Sequence, residues 1–402
     1  MLGGEETPMS TTARPAPKLV ADSAAWSLPA WTYSDPDFMA LEREKVFLPA
    51  WHLVCHENDI PGVGDYATFK IFGEIAFAVR GKDGEIRAFH NVCRHRAARL
   101  VDGHQGNCGR SVVCPYHAWT YQLDGRLSGV PFIEQYENFE KSEHGLTPVE
   151  CATFGGFVFI RFRSGGPALK EYMAPIADEI ALYRTADMKP MRKIGERVRE
   201  VNWKNATDNY CDALHIPIAH AGLNDLIGPT YRLAIDRGVF KIFGDLENGR
   251  GPSRSNEAYK RILPRVDHLP AERQRLWTYW KLWPSLMFDV YPDQVDFMQF
   301  IPLTPTSCIL RESAYALPDA RREMKAARYL NMRINRDVNR EDKDLIERVQ
   351  AGMASSSFAT GPLGREEICL RHFAGQMRET IPLARSPERP AQAAIDQALG
   401  RT

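Results

Sequence analysis

The stretch "NVCRHRAARL", residues 91–100, places Cys93 and His95 one residue apart in a chain whose eight cysteines are otherwise scattered. A second pair follows in "VVCPYHAWTY", residues 112–121, where Cys114 precedes His117. A lone Cys-x-His is most simply a packed core pair. Two such pairs in one small region, each where a strand gives way to a loop, read instead as one four-donor metal site, since thiolate sulfur and imidazole nitrogen are donors that transition metals select.

The surroundings of these pairs are β in texture. Short β-branched and aromatic runs such as "YATFKIF", "EIAFAVR" and "FGGFVFIRF" alternate with the turn signals "GKDGE" and "LDGRL", which predicts a compact antiparallel domain over residues 48–165. Before it, residues 1–20 are rich in Pro, Ala, Thr and Gly and read as a disordered lead-in. Residues 21–47 read as a helical segment packing on the second domain, with Asp35 or Asp37 capping a helix that carries Phe38, Leu41 and Val46. After "RSGGPALKEY" the texture changes, and residues 166–402 form the second domain. Helices are expected near 168–185 and 203–221, strands from about 230 to 316, and a long helix over roughly 319–352 opened by Pro318 and Asp319. The run "LWTYWKLWPSLMFDVYPDQVDFMQFIPL" is broken by Pro and Asp at strand-length intervals, as in an antiparallel sheet.

Composition narrows the function. Lys plus Arg and Asp plus Glu both number 51, so no net positive field draws in nucleic acid or an anionic membrane. No apolar run approaches the length of a membrane span, and the N-terminus lacks a signal-peptide pattern, so the expectation is a cytoplasmic protein with reduced thiols. Cys55, Cys151, Cys308 and Cys369 read as buried thiols, and Cys108 as structural.

Zinc would accept two Cys and two His, but zinc modules usually pair ligands as C-x₂₋₄-C and H-x₃₋₅-H. Here each half supplies one sulfur and one nitrogen, the split that suits a Rieske [2Fe–2S] centre. "NVCRHRAARL" and "CPYHAWTYQLDGRLSGVP" resemble the two Rieske loops of the ring-hydroxylating and related oxygenase α subunits. The resemblance implies that Cys93 and Cys114 bind the inner iron, and His95 and His117 the outer one. Family members often have Gly where this chain has Ala97 and Ala118, a change that removes no ligand.

A second constellation lies in "NWKNATDNYCDALHIPIAH", residues 202–220, where His215 and His220 flank Pro217. Proline disfavours the helical state at Ile216 and can bend the chain so that both imidazoles face one ion. Two His plus one carboxylate is the arrangement for non-heme Fe(II) that activates dioxygen. On the long helix, Ile334, Val338, Leu345, Ile346 and Val349 fall within an arc of about 120°, and Asp342 lies inside it. A core-facing carboxylate is costly unless paired or metal-bound, which makes Asp342 the first choice and Glu341 the second, with a salt bridge to a buried Arg as the plain alternative. The run 202–220 and "REDKDLIERVQAGMASSSFATGPLGREE" also resemble the oxygenases, so that the matched motifs span about residues 45–372. The resemblance implies His215, His220 and Asp342 as ligands of the mononuclear iron. It also implies that Asp212 bridges His117 of one subunit to His215 of the next, in a homotrimer or a larger multiple of three. Within one chain Asp212 reads as a carboxylate orienting His215, while Asn209 and Asp208 support the region by hydrogen bonding.

The fold class this implies is α+β: an antiparallel Rieske domain, then a catalytic domain with a curved antiparallel sheet flanked by helices, of the START or helix-grip kind. The implied activity is that of a terminal oxygenase, with a [2Fe–2S] cluster, Fe(II) and O₂, fed from NAD(P)H. The chain has no G-x-G-x-x-G after a strand and no further cysteine cluster, so a separate reductase, with or without a ferredoxin, is the expected partner. The outcome is hydroxylation, dihydroxylation or oxidative demethylation of a small organic substrate. The C-terminal motif leans towards choline, carnitine and betaine monooxygenases, whereas Asp at 212 is more usual in ring hydroxylases. Trp277, Tyr279, Trp280, Trp283, Phe288 and Tyr291 are a candidate cage for a quaternary ammonium, though sheet core accounts for most of them. A pocket without a nearby Arg or Lys would favour a neutral aromatic over a carboxylated one. The competing readings from other classes are a zinc-stabilised binding module and a Rieske electron carrier.

Overall fold

The computed structural model describes residues 25–249 and 251–401, so the lead-in expected at 1–20 lies outside the described residues. Its first half is a seven-stranded antiparallel sheet. In spatial order the strands are His52–His56, Phe157–Arg161, Pro148–Phe154, Ile86–His90, Glu74–Arg80, Asp65–Ile71 and Gln105–Asn107. The first and last segments of this half are thus neighbours, so the chain leaves where it entered. A three-stranded sheet, Ser111–Val113, Thr120–Gln122 and Leu127–Gly129, stands beside it. Between them lies a small core that includes Phe77, Val79, Trp119 and Tyr121.

The second half is a curved eight-stranded antiparallel sheet flanked by helices. Its central strands, Leu276–Leu282, Leu286–Val290, Val295–Thr304 and Ser307–Ala316, hold side chains buried on both faces, which is why the aromatic run carries so little polar alternation. Trp277, Trp280, Phe288 and Tyr291 are core residues, each at most 1% exposed. Asp289 and Asp296 sit inside strands rather than breaking them, a correction to the sequence reading. A helix at Arg254–Ile262, capped by the Ser253 side chain on the Asn256 N–H, interrupts the stretch read as strands, and the helices Ile368–Thr380 and Gln392–Leu399 were not anticipated. The long helix runs Arg322–Met353. Of its expected apolar arc, Ile334 and Ile346 are buried, whereas Leu345 and Val349 are exposed.

Two hydrophobic cores span both halves, one joining Val54 and Phe69 to Phe300 and Leu310, the other joining Leu53 and Phe157 to Phe288 and Tyr315, and buried polar contacts cross the same seam. Arg311 donates to the carbonyls of Leu53, at 2.8 Å, and Val54, and the Tyr315 hydroxyl donates to Asp59 at 2.7 Å. The helix Pro36–Glu42 is capped by Asp35, whose carboxylate accepts from the Phe38 N–H at 2.7 Å. Its last residue, Glu42, is fully buried, where it accepts from Trp203 Nε1 at 3.0 Å and pairs with the buried Lys204. Removing one member of such a pair leaves an uncompensated charge in the core, a loss of about 3–5 kcal/mol. The helix Trp203–Cys211, which leads into the His215 region, is therefore pinned at its first turn.

Candidate functional site

The two Cys/His loops share one backbone device. The Cys93 N–H donates to the Ala98 carbonyl and the Cys114 N–H to that of Trp119, both at 2.8 Å, and the N–H groups of Ala97 and Ala118 return to the carbonyls of Cys93 and Cys114, both at 3.0 Å. Closing each loop this way drives Ala97 to φ 57° and Ala118 to φ 56°, the left-handed region where a Cβ is unfavourable. The loops bring both cysteines into the small core, each 2% exposed, and set the rings of His95 and His117 with centroids 4.6 Å apart. Trp119 stacks on His95 at 4.9 Å, and the Tyr121 hydroxyl lies 3.3 Å from the Cys93 sulfur. Nδ1 of His95 and Nδ1 of His117 are both buried without a hydrogen-bond partner. Two orphaned nitrogens beside two buried thiols are a donor set that a [2Fe–2S] cluster satisfies. Cys108, outside the cluster of donors, gives its thiol to the Gly64 carbonyl.

The second group forms where the helix Trp203–Cys211 stops. Asp212 ends it in an extended conformation, and its carboxylate accepts from the Leu214 N–H at 2.8 Å. A single turn, Ile216–Ala219, follows with Pro217 near its start, so His215 and His220 are its two flanking residues. That turn swings the rings together, with their Nε2 atoms 3.1 Å apart. From the long helix, Asp342 Oδ1 comes to 2.9 Å from His220 Nε2 and 3.5 Å from His215 Nε2. One donor atom from each of His215, His220 and Asp342 can be chosen so that all lie within 4.8 Å of one another. Two imidazoles and a carboxylate fit non-heme Fe(II).

Each of the three has a supporting contact. Asn209 Nδ2 donates to Asp342 Oδ1 at 3.0 Å. Glu341 does not enter the group. It meets the opposite edge of His220, with Oε2 2.8 Å from Nδ1, which holds the proton there and leaves Nε2 as the lone-pair donor. Asp212 Oδ2 lies 3.2 Å from His215 Nδ1. Burial alone would lower the His215 pKa, but Asp212 and Asp342 outweigh it and raise it to about 9. Burial likewise opposes ionisation of Asp342, and the two histidines overcome it, holding the carboxyl down to about 2. Both shifts come from the attraction between the imidazoles and the carboxylates beside them. Asp208, one residue from Asn209, accepts from the Tyr33 hydroxyl at 2.5 Å and lines a cavity with Asp212 and His215.

The pocket beside this group, about 110 Å³, is walled by Ala206, Leu223, Ile242, Phe300 and Leu310, with Arg199, Tyr210, Tyr279, Asp289 and Lys343 among its polar features. Of the six aromatic cage candidates only Tyr279 lines it. Asp289 is 6% exposed, accepts from the Tyr210 hydroxyl at 2.5 Å and has no basic partner within 4.0 Å among the described residues. Burial pushes its carboxyl up to about 7. Neither Asp289 nor Tyr210 was identified from sequence. An acid in the middle of an aromatic run, flanked by large apolar residues, was the available signal.

Comparison with known proteins gives two family matches. Residues 50–140 match the Rieske [2Fe-2S] domain, and residues 183–382 match the ring hydroxylating α subunit catalytic domain. The chain is 30% identical to the carnitine monooxygenase oxygenase subunit of Escherichia coli K12 over 337 residues, which is 83% of this chain and 86% of that one. It is 30% identical to the chloroplastic choline monooxygenase of Arabidopsis thaliana over 371 residues, 89% of this chain and 83% of that one. Among solved structures, the quaternary ammonium Rieske monooxygenase CntA, in complex with an inhibitor, superposes with a TM-score of 0.76 at 23% identity, covering 89% of this chain and 96% of that chain.

Proposed function

Because the chain belongs to the family of ring-hydroxylating oxygenase α subunits, we propose that it oxidises a quaternary ammonium compound. Membership makes it the oxygenase component of a multi-component oxidoreductase that uses a Rieske cluster, mononuclear iron and O₂, with electrons from a separate reductase. It also sets aside the zinc module and the simple electron carrier. The observation that carries the substrate reading is Asp289: a buried carboxylate without a basic partner, beside Tyr210 and Tyr279, in the pocket that adjoins His215 and His220. A cationic head placed there would neutralise the carboxylate and rest against the aromatic faces. The carnitine and choline relatives support the same reading. Among the described residues no helix is long and apolar enough to cross a membrane, and the unpaired thiols support a cytoplasmic setting.

In this reading Cys93, Cys114, His95 and His117 hold the cluster, and His215, His220 and Asp342 hold Fe(II). When bound, the two centres would supply one-electron transfer and dioxygen activation. The protein contributes placement. Asn209 fixes the rotamer of Asp342, Glu341 fixes the tautomer of His220, and the wall of Ile242, Phe300 and Leu310 keeps bulk water from the reacting methyl or methylene group. Asp212 serves as the bridge between the cluster of one subunit and the iron of the next. Supporting this, Leu214, Ile218 and Leu345 lie exposed on the Asp212 side, as do Val113, Tyr116 and Phe132 on the loop side. Two different apolar patches on one chain suit a head-to-tail ring, most simply a trimer. The domain division at 48–165 and 166–402 is kept as part of the same proposal.

The test is oxygen uptake with a surrogate reductase, alone and through a ferredoxin, across betaines, choline and simple aromatic acids. Substrate-coupled uptake with an oxidised or dealkylated product from a quaternary ammonium compound is expected. Coupled turnover of aromatic acids only would overturn the ammonium reading.

A further inference from the structure

The inner pocket does not end at its apolar wall. Arg199, Asp289, Met298, Asn335, Asn339 and Lys343 line both it and an outer cavity of about 470 Å³, so the two adjoin. Charge is sorted along them. On the sheet side, Asp289 and Asp296 face each other across adjacent strands, with Glu312 on the next strand, opposite Met298. On the other side, the long helix presents Arg333, Arg336, Arg340 and Lys343 on successive turns, and the edge strand Gly195–Arg199 supplies Arg197 and Arg199.

These cations are only partly neutralised. Glu312 is shared by Arg192 and Arg197, Arg340 meets Asp337 at 3.3 Å, and Lys343 meets Glu347 at 3.2 Å. Arg199, Arg333 and Arg336 have no ion pair within 4.0 Å among the described residues. The outer cavity therefore carries seven basic side chains against three acidic ones. Like charges gathered around one opening are relieved by an anion between them, and guanidinium groups suit a carboxylate.

We infer that this basic mouth is a specificity filter: it selects substrates bearing a carboxylate remote from the group oxidised, and disfavours analogues without one. Combined with the ammonium reading, on which the identity of the inner group rests, the favoured substrate is a betaine-like zwitterion. Its cation lies towards Asp289 and its carboxylate towards Arg199, Arg333 and Arg336. A choline-like cation satisfies Asp289 but meets the uncompensated positive mouth. Such a filter separates the two kinds of substrate that the names of the carnitine and choline relatives bring together.

The experiment compares binding to the anaerobic holoenzyme by calorimetry for two matched pairs, glycine betaine with choline and benzoate with benzyl alcohol. The carboxylated member should bind more tightly. Its advantage should shrink with added salt, and by roughly two- to fivefold for each of Arg333→Gln and Arg336→Gln. A merely structural role would weaken both members of a pair alike, and that outcome overturns the filter. So does tighter or equal binding of the carboxylate-free member in wild type, or no binding of any of the four. If betaine and choline both fail to bind while benzoate outbinds benzyl alcohol, the filter is supported and the ammonium reading falls.

Discussion

The Cys/His loops and the His215/His220/Asp342 group differ in how far along the chain their donors are gathered. Each loop brings its own Cys and His together within one hydrogen-bonded turn, and the two loops flank a small sheet that a few dozen residues complete. The second group joins a helix break to a carboxylate that follows His220 by 122 residues. A local site is fixed by turn geometry and survives changes elsewhere. A gathered site depends on the packing of two helices and can be lost through either one.

The sharpest way to separate the two is Asp342→Ala. Iron should fall from about three to about two per chain, with the cluster's visible absorption kept and oxygenation abolished. Metal analysis and absorption spectra check this, and loss of the cluster in the same variant would join what is separate here. Asp212→Asn should keep all the iron yet slow turnover by roughly 10- to 100-fold, the range expected for a group that supports a ligand. Single-turnover reduction followed at the cluster would show whether the block lies between the two regions.

A smaller effect concerns the pocket alone. Asp289 is held near pH 7 by burial, and a cation prefers its ionised form. Affinity for a quaternary ammonium should therefore rise with pH, by several-fold from about pH 6 to 8, then level off. Asp289→Asn should flatten that profile, which calorimetry at a series of pH values would reveal. The smallest effect falls on the loops: Ala97→Gly or Ala118→Gly should raise stability by up to about 1 kcal/mol without changing iron content, because the left-handed conformation costs alanine more than glycine. Thermal melts and iron analysis of the variants check it.

What was legible in sequence follows the same division. Cys93, His95, Cys114 and His117 could be read from spacing because the physics that assembles them is local. His215 and His220 were legible for the same reason, Pro217 being the visible cause of the turn. Helical periodicity put Asp342 on the face that meets His215 and His220 even though Leu345 and Val349, which helped define the arc, are exposed. Their apolar character reflects a surface patch, and periodicity cannot distinguish that from core. Glu341 was placed as a rival ligand; one residue of helical rotation puts it on the far edge of His220 instead. Asp289 and Tyr210 escaped because strand register and a helix packed on the sheet bring them together. The basic mouth escaped because its cations come from a strand and a helix more than a hundred residues apart, in a chain of zero net charge.

Arg311 carries a consequence for how such proteins diversify. It rises from the catalytic sheet, is 2% exposed, and donates to the main-chain carbonyls of Leu53 and Val54 as well as to the Gln299 side chain, with Glu196 as its ion partner at 3.5 Å. Because those acceptors are backbone atoms, the hydrogen bonds do not depend on which side chains stand at 53 and 54, although both are fully buried in the core, whereas an insertion or deletion that shifts that strand would take both acceptors from a buried cation. Exchange of the two halves between relatives thus demands that strand length be kept and that the buried side chains at 53 and 54 still fill the shared cores.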